Sequence, residues 1–171
     1  MTEKHLPPLT DPVFNRENFD ISNLQDEIRV SEVVGDLLQH FYLYLVEQKS
    51  LYPEEASALA YGADYFLRDF IIDDRRENIF EIRAERVRQF AGNWYIVKNL
   101  EPNIRELEGL LAGILFFYQF CGDIGRVDPS LPEQIAGQCE ELDFYRRRID
   151  TFWEIEDDGY SDWEKECSLR D

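Results

Sequence analysis

Histidine is nearly absent from this chain: His5 and His40 are the only two in 171 residues. Cysteine is scarce as well, and Cys121, Cys139 and Cys167 are odd in number, far apart and in no CxxC spacing. That pattern argues against a disulfide framework and against a zinc site, and reads as buried, reduced thiols. The nine glycines are scattered, and neither GxxxxGK nor GxGxxG occurs, so no loop is built to cradle a phosphate. There is no Gly-x-Ser-x-Gly elbow, and no cysteine has a histidine near it in sequence. A long hydrophobic run is missing too. The longest, Leu110 to Cys121, has twelve residues with only Gly113 and Gln119 not apolar, and it stops at Gly122-Asp123. A bilayer needs roughly 20 apolar residues, whereas about 10 to 14 fit a buried core helix. The N-terminus MTEKHLPPLTDPVF has no basic region followed by an apolar stretch and a cleavage site. The expectation is a cytoplasmic protein with no membrane contact.

Positive charge is the other shortage. Eighteen basic residues face thirty-six acidic ones, for a net charge of −18. Residues 68–105 are nearly neutral, at +1, while residues 1–67 carry −8 and residues 150–171 carry −7. Such a field repels phosphate backbones and anionic membranes, and favours solubility or cationic partners.

What is present is helical periodicity, with no strand-rich stretch and no internal repeat. Residues 1–20, with Pro7, Pro8 and Pro12, read as an extended arm. A first helix is expected from Ser31, acting as its cap, to about Gln48, because Val33, Val34, Leu37, Leu38, Phe41 and Leu45 repeat at helical spacing. Pro53-Glu54-Glu55 opens a second, whose apolar face is Leu59, Ala63, Phe66, Leu67, Phe70 and Ile71. After the charged break Asp73 to Asn78, the piece Ile79, Phe80 and Ile82 is too short to assign. A third helix runs from about Arg83 to Val97, and Asn103 with Glu106 forms a capping pattern for the helix that holds the apolar run. That helix is apolar on all sides, hence buried on all sides, with Gly122 as its stop. Ser130-Leu131-Pro132-Glu133 starts a last long helix reaching about Glu154, in which Arg146-Arg147-Arg148 interrupts the apolar stripe and pairs with neighbouring acids. The expected fold is all-α: a single helical domain over residues 21–155, a bundle of about five main helices, followed by an acidic C-terminal tail at 156–171.

One family resemblance emerges. The pieces AYGADYFLRDF (60–70), FEIRAERVRQFAGNW (80–94), ELEGLLAGILFFYQFCGDIG (106–125) and VDP (127–129) resemble the SAM-like N-terminal core-binding domain of tyrosine recombinases and phage integrases. The resemblance covers residues 58–129 and implies a SAM-like core to which a long C-terminal helix is added. It rests on core positions, not on chemistry. The family's catalytic domain would have to follow Pro129, where only 42 residues remain and no histidine occurs, so recombinase chemistry is excluded and no tyrosine here inherits the nucleophile role. What the resemblance does imply is a nucleic-acid contact, and the cations that gather in the matched region are Arg83, Arg86, Arg88, Lys98 and Arg105. A DNA clamp should be basic, which this chain is not.

Two weaker patterns complete the inventory. Asp36 and His40 lie four apart on one helix face, but two ligands do not make a metal site. Glu154 to Lys165 follows a calcium loop at several positions, yet places Lys165 where a bidentate glutamate belongs. No catalytic, cofactor or metal residue is therefore assigned. The leading expectation is a non-enzymatic protein-interaction or regulatory module with a protein partner. The alternative is a nucleic-acid-binding protein related to the recombinase domain, and a carboxylate-dependent hydrolase comes third.

Overall fold

The computed structural model describes residues 5–171 and is all-helical, with no strand among the described residues. Helix α1 spans Leu24–Glu47, and α2 spans Pro53–Asp64 before continuing as a π-helix over Tyr65–Arg75. Then come α3 (Glu85–Gln89), a π-helical stretch at Phe90–Trp94, α4 (Tyr95–Lys98), α5 (Ile104–Asp123), α6 (Ser130–Cys139), α7 (Leu142–Trp153) and α8 (Tyr160–Lys165). No helix among the described residues is long and apolar enough to cross a membrane.

Helix α1 begins seven residues before the expected Ser31. Asn23 is the cap, its Oδ1 accepting the N–H of Asp26 at 2.8 Å, while the Asp26 carboxylate accepts the Ser22 N–H at 2.9 Å. The first two turns lack an apolar face because Leu24 and Ile28 point outward, and the inward stripe starts only at Val30. Periodicity alone therefore located the stripe but not the helix.

Helices α2 and α5 pack most closely, and glycine is the reason. A Cβ on Gly113 would lie 2.3 Å from the Leu59 carbonyl oxygen, and one on Gly62 would lie 3.0 Å from the Leu110 Cα. The two backbones touch where any side chain would part them. Around this contact Phe41, Phe117 and Phe120 fill the interior, the first two edge to face at 5.4 Å. The helix is not buried all round, however. Glu108, Gly109 and Gln119 are exposed, and Ala112, Leu115 and Phe116 are only partly buried, forming one outward strip.

Aromatics also join the two π-helical stretches. Phe66 stands 5.3 Å from Phe90, and Phe70 stands 5.4 Å from Trp94. At the start of α5, Asn103 Oδ1 accepts the Glu106 N–H at 2.8 Å, as the capping pattern requires. The reciprocal bond runs through a third residue: the Asn103 N–H donates to the Tyr95 hydroxyl at 3.1 Å, which donates to Glu106 Oε1 at 2.7 Å. Helix α5 ends at Asp123, and the glycine that stops it is Gly125, not Gly122. Gly125 has φ +74°, and the Arg126 N–H returns to the Cys121 carbonyl at 2.9 Å, closing the last turn from the left-handed position that glycine adopts most easily.

Three further expectations are corrected, and the segment left open at Ile79 takes a definite form. Of the extended arm, residues 1–4 lie outside the described residues, and Pro12–Phe14 and Arg16–Phe19 form short 3₁₀ turns that bury Phe14 and Phe19 completely. Arg126 fixes this segment by donating to the carbonyls of Phe14 (3.1 Å) and Leu9 (3.0 Å). The unassigned piece at Ile79 is a buried turn, held by Tyr118 donating to the Ile79 carbonyl at 2.8 Å. Ser130, which the Ser-x-x-Glu spacing marks as a cap, is instead the first residue of α6, and Asp128 accepts its N–H at 2.8 Å. The long last helix is two helices, broken at Glu140-Glu141.

The C-terminal segment is part of the core. Arg148, expected from sequence to pair with acids on neighbouring turns, is fully buried. Its Nε donates to the Gly92 carbonyl at 2.8 Å, its Nη1 donates to the Trp163 carbonyl at 2.5 Å, and its guanidinium lies 3.8 Å from the centre of the Trp163 ring. Gln89 and Asn93 donate to the carbonyls of Ser168 and Cys167, at 3.0 and 2.8 Å.

Candidate functional site

The cations implied by the recombinase resemblance divide into two groups. Arg83, Lys98 and Arg105 are exposed. Arg86 is engaged internally: it forms a two-pronged pair with Glu77 at 2.9 and 2.6 Å, and donates to Gln89 at 2.6 Å and to the Asp171 carbonyl at 3.2 Å. Arg88 lies 4.2 Å over the Phe144 ring. Arg86 thus holds the C-terminal segment, Arg88 packs on α7, and three of the five remain on the surface.

Neither weak metal pattern assembles. The His40 ring donates its Nε2–H to the Pro7 carbonyl at 2.6 Å and meets Phe14 edge to face, so it ties down the N-terminal segment. In the calcium-like stretch, residues 160–165 are the helix α8. No group of three ligating side chains comes together among the described residues. Burial raises the Cys121 and Cys167 thiols above their ordinary range and pushes Cys139 up to about 12.

A large concavity lies elsewhere, along the seam between α1 and α2 with its π-helical continuation. One cavity of about 700 Å³ is lined by Ile28, Tyr61, Tyr65 and Ile72, and by the acids Glu27, Glu32, Asp64, Asp69 and Asp73. A second, of about 480 Å³, continues it past Gly35, Leu38, Tyr42, Leu43 and Ala60. Tyr61, Asp64 and Arg68 line both. The groove has an apolar component open to solvent, since Ile28 is 55% and Tyr61 65% exposed. Among the described residues Arg68 is the only base in either lining, and it pairs with Asp64.

The acids crowd one another. Burial pushes the Asp69 carboxyl above its ordinary value, Asp64 and Asp73 push it the same way, and Arg68 opposes them. Burial also raises the Tyr65 hydroxyl, against a hydrogen bond from Asn99 at 3.0 Å. A carboxyl raised in the fold binds its proton more tightly there than in the unfolded chain. Its ionised form thus opposes folding above the folded pKa, and the penalty fades as pH falls through that value. Asp69→Asn should raise the melting temperature slightly at neutral pH, and the difference from wild type should vanish in acid. An equal difference at both pH values would show that the effect is not electrostatic.

Sequence reasoning missed this groove because its walls come from residues 27–43 and 57–73, with Leu6 at one end, and Glu27 and Ile28 fall outside the expected first helix. The Asn23-x-x-Asp26 spacing was the available signal. Compared with known proteins, the chain matches no family model, no curated protein and no solved structure.

Proposed function

We propose that this chain is a non-enzymatic protein-interaction or regulatory module of the cytoplasm, and that the groove between α1 and α2 receives a cationic, apolar-faced segment of a partner protein. The observation that carries the reading is the placement of exposed Ile28 and Tyr61 among five carboxylates in one groove, on a chain of net charge −18. Exposed apolar side chains inside a charged rim have the composition of an interaction surface. Charge of one sign speeds encounter and selects the opposite sign, while the apolar residues supply the affinity.

The test is a titration of the full chain with a synthetic amphipathic helix of leucine and arginine, alongside its leucine and glutamate counterpart. Only the cationic peptide should bind. Ile28→Ser combined with Tyr61→Ser leaves the charge unchanged and should weaken binding by about tenfold, a loss of about 1.4 kcal/mol. Affinity that ignores both substitutions would mean attraction by the general field alone, and would contradict the reading.

The recombinase-derived alternative makes a different use of the surface, with Arg83, Lys98 and Arg105 on phosphates. Binding of labelled duplex DNA tighter than the roughly 10⁻⁴ to 10⁻⁶ M of non-specific association, with a steep salt dependence lost on substituting those three, would replace the protein-contact reading.

A further inference from the structure

Arg68 stands at the centre of the groove. It lines both cavities, and its guanidinium lies over α1 at the one place where that helix has no side chain: a Cβ on Gly35 would be 3.6 Å from Arg68 Nη1. Its Nε donates to Asp64 Oδ1, one turn back on α2. On the side of the larger cavity this pair faces Glu27 and Glu32 of α1 and Asp69 and Asp73 of the π-helical stretch, while the smaller cavity is lined by apolar and neutral side chains around the same pair. The groove therefore already holds one guanidinium, and that guanidinium divides it in two.

We propose that Arg68 is an internal occupant of a cation subsite, filling the place that an arginine of the partner segment takes, so that binding proceeds by displacement of Arg68 from Asp64. This rests on the reading of the groove as a protein-interaction surface, and it names the partner's chemistry: an arginine flanked by apolar side chains. Three features of the geometry support it. Asp64 belongs to both cavities, so a cation held there touches partner residues on each side. Gly35 places no side chain beneath the guanidinium, and even a Cβ there would stand 3.6 Å from Arg68 Nη1, an ordinary contact distance, so the planar group has room over α1. Both partners of the pair are about one-third exposed, so the bond exchanges with solvent at small cost and the side chain has room to swing out. Asp69, whose carboxyl is raised by its surroundings, gains from the arrival of a second positive charge. Glu27 is paired with Arg76 at 3.5 Å and Asp64 with Arg68, so the acids left for an incoming arginine are Glu32, Asp69 and Asp73, with Asp64 once Arg68 is displaced.

Displacement makes the resident arginine a brake. Arg68→Ala should tighten binding of the leucine and arginine peptide about fivefold, the upper range of what a part-exposed ion pair is worth. Arg105→Ala removes the same charge from an exposed position on another helix, and should tighten it by less than about twofold. Arg68→Gln, which keeps most of the side-chain volume, should fall between alanine and wild type. Asp64→Asn should weaken binding, and in that background Arg68→Ala should no longer tighten it. Melting curves for each variant confirm that the fold is intact before the titration is read.

If Arg68→Ala and Arg105→Ala tighten binding equally while Ile28→Ser and Tyr61→Ser still weaken it, the groove reading stands and the displacement proposal is overturned. If none of the groove substitutions changes the affinity, the groove reading itself has failed. A tightening confined to Arg68 variants and abolished by Asp64→Asn establishes displacement.

Discussion

Replacing Arg148 with methionine should destabilise the chain by about 3–5 kcal/mol, the cost of removing a buried, hydrogen-bonded ion and stranding its partners. Methionine keeps much of the side-chain length but donates nothing. The carbonyls of Gly92 and Trp163 lose their donor, and the Trp163 indole loses the cation on its face. Burial lowers the guanidinium pKa, with Glu166 at 3.5 Å acting against that shift, and a guanidinium keeps its charge inside a protein. For a domain of this size each kcal/mol moves the melting temperature by about 2–4 °C, so a loss of about 10 °C is expected. Amide exchange should rise throughout α8, because Trp163 is both an acceptor of the arginine and a donor, through Nε1, to its backbone at 3.1 Å. Removing residues 156–171 should be at least as damaging, since it bares the same guanidinium. A melting temperature within about 2 °C of wild type for the methionine variant would show that the C-terminal segment is held by something else.

Gly113→Val should abolish the native fold. The first side-chain carbon would stand 2.3 Å from the Leu59 carbonyl oxygen, well inside contact distance, and the obstacle is helical backbone that cannot rotate away. Helices α2 and α5 would have to separate, opening the interface around which the aromatic interior is arranged. Gly109→Ala is the matched control, one turn away on the same helix, where an added Cβ meets nothing within 4 Å. It should stabilise by about 0.5–1 kcal/mol, as alanine for glycine does in an exposed helix. Similar melting temperatures for the two variants would mean that the glycine contact does not set the distance between the helices.

Both residues mark where sequence and structure part. The starts of α2 and α5 were legible because Pro53 and Asn103 act locally, through their own backbone geometry and the next turn. The all-helical class followed from periodicity. Arg148 was not legible as a core residue because charge was given more weight than position. It stands one turn from Tyr145 and Phe152 and beside Ile149, on the inward face of α7, and that spacing was the signal. Gly113 read as an interruption in an apolar run, since close approach of two backbones is a property of the pair and not of either helix. The break at Glu140-Glu141 has no proline or glycine to announce it. The groove was the least legible feature, because only folding brings Glu27 and Ile28 of α1 beside Asp64 and Asp69 of the next rod. Acidity was visible as a total, but not as a wall.

Hydrogen exchange on the full chain, with and without the leucine and arginine peptide, tests the central claim most directly. The account expects new protection confined to residues 27–43 and 57–73, with α6 and α8 unchanged. Protection spread evenly over the acidic surface, or centred on Arg83, Lys98 and Arg105, would contradict it.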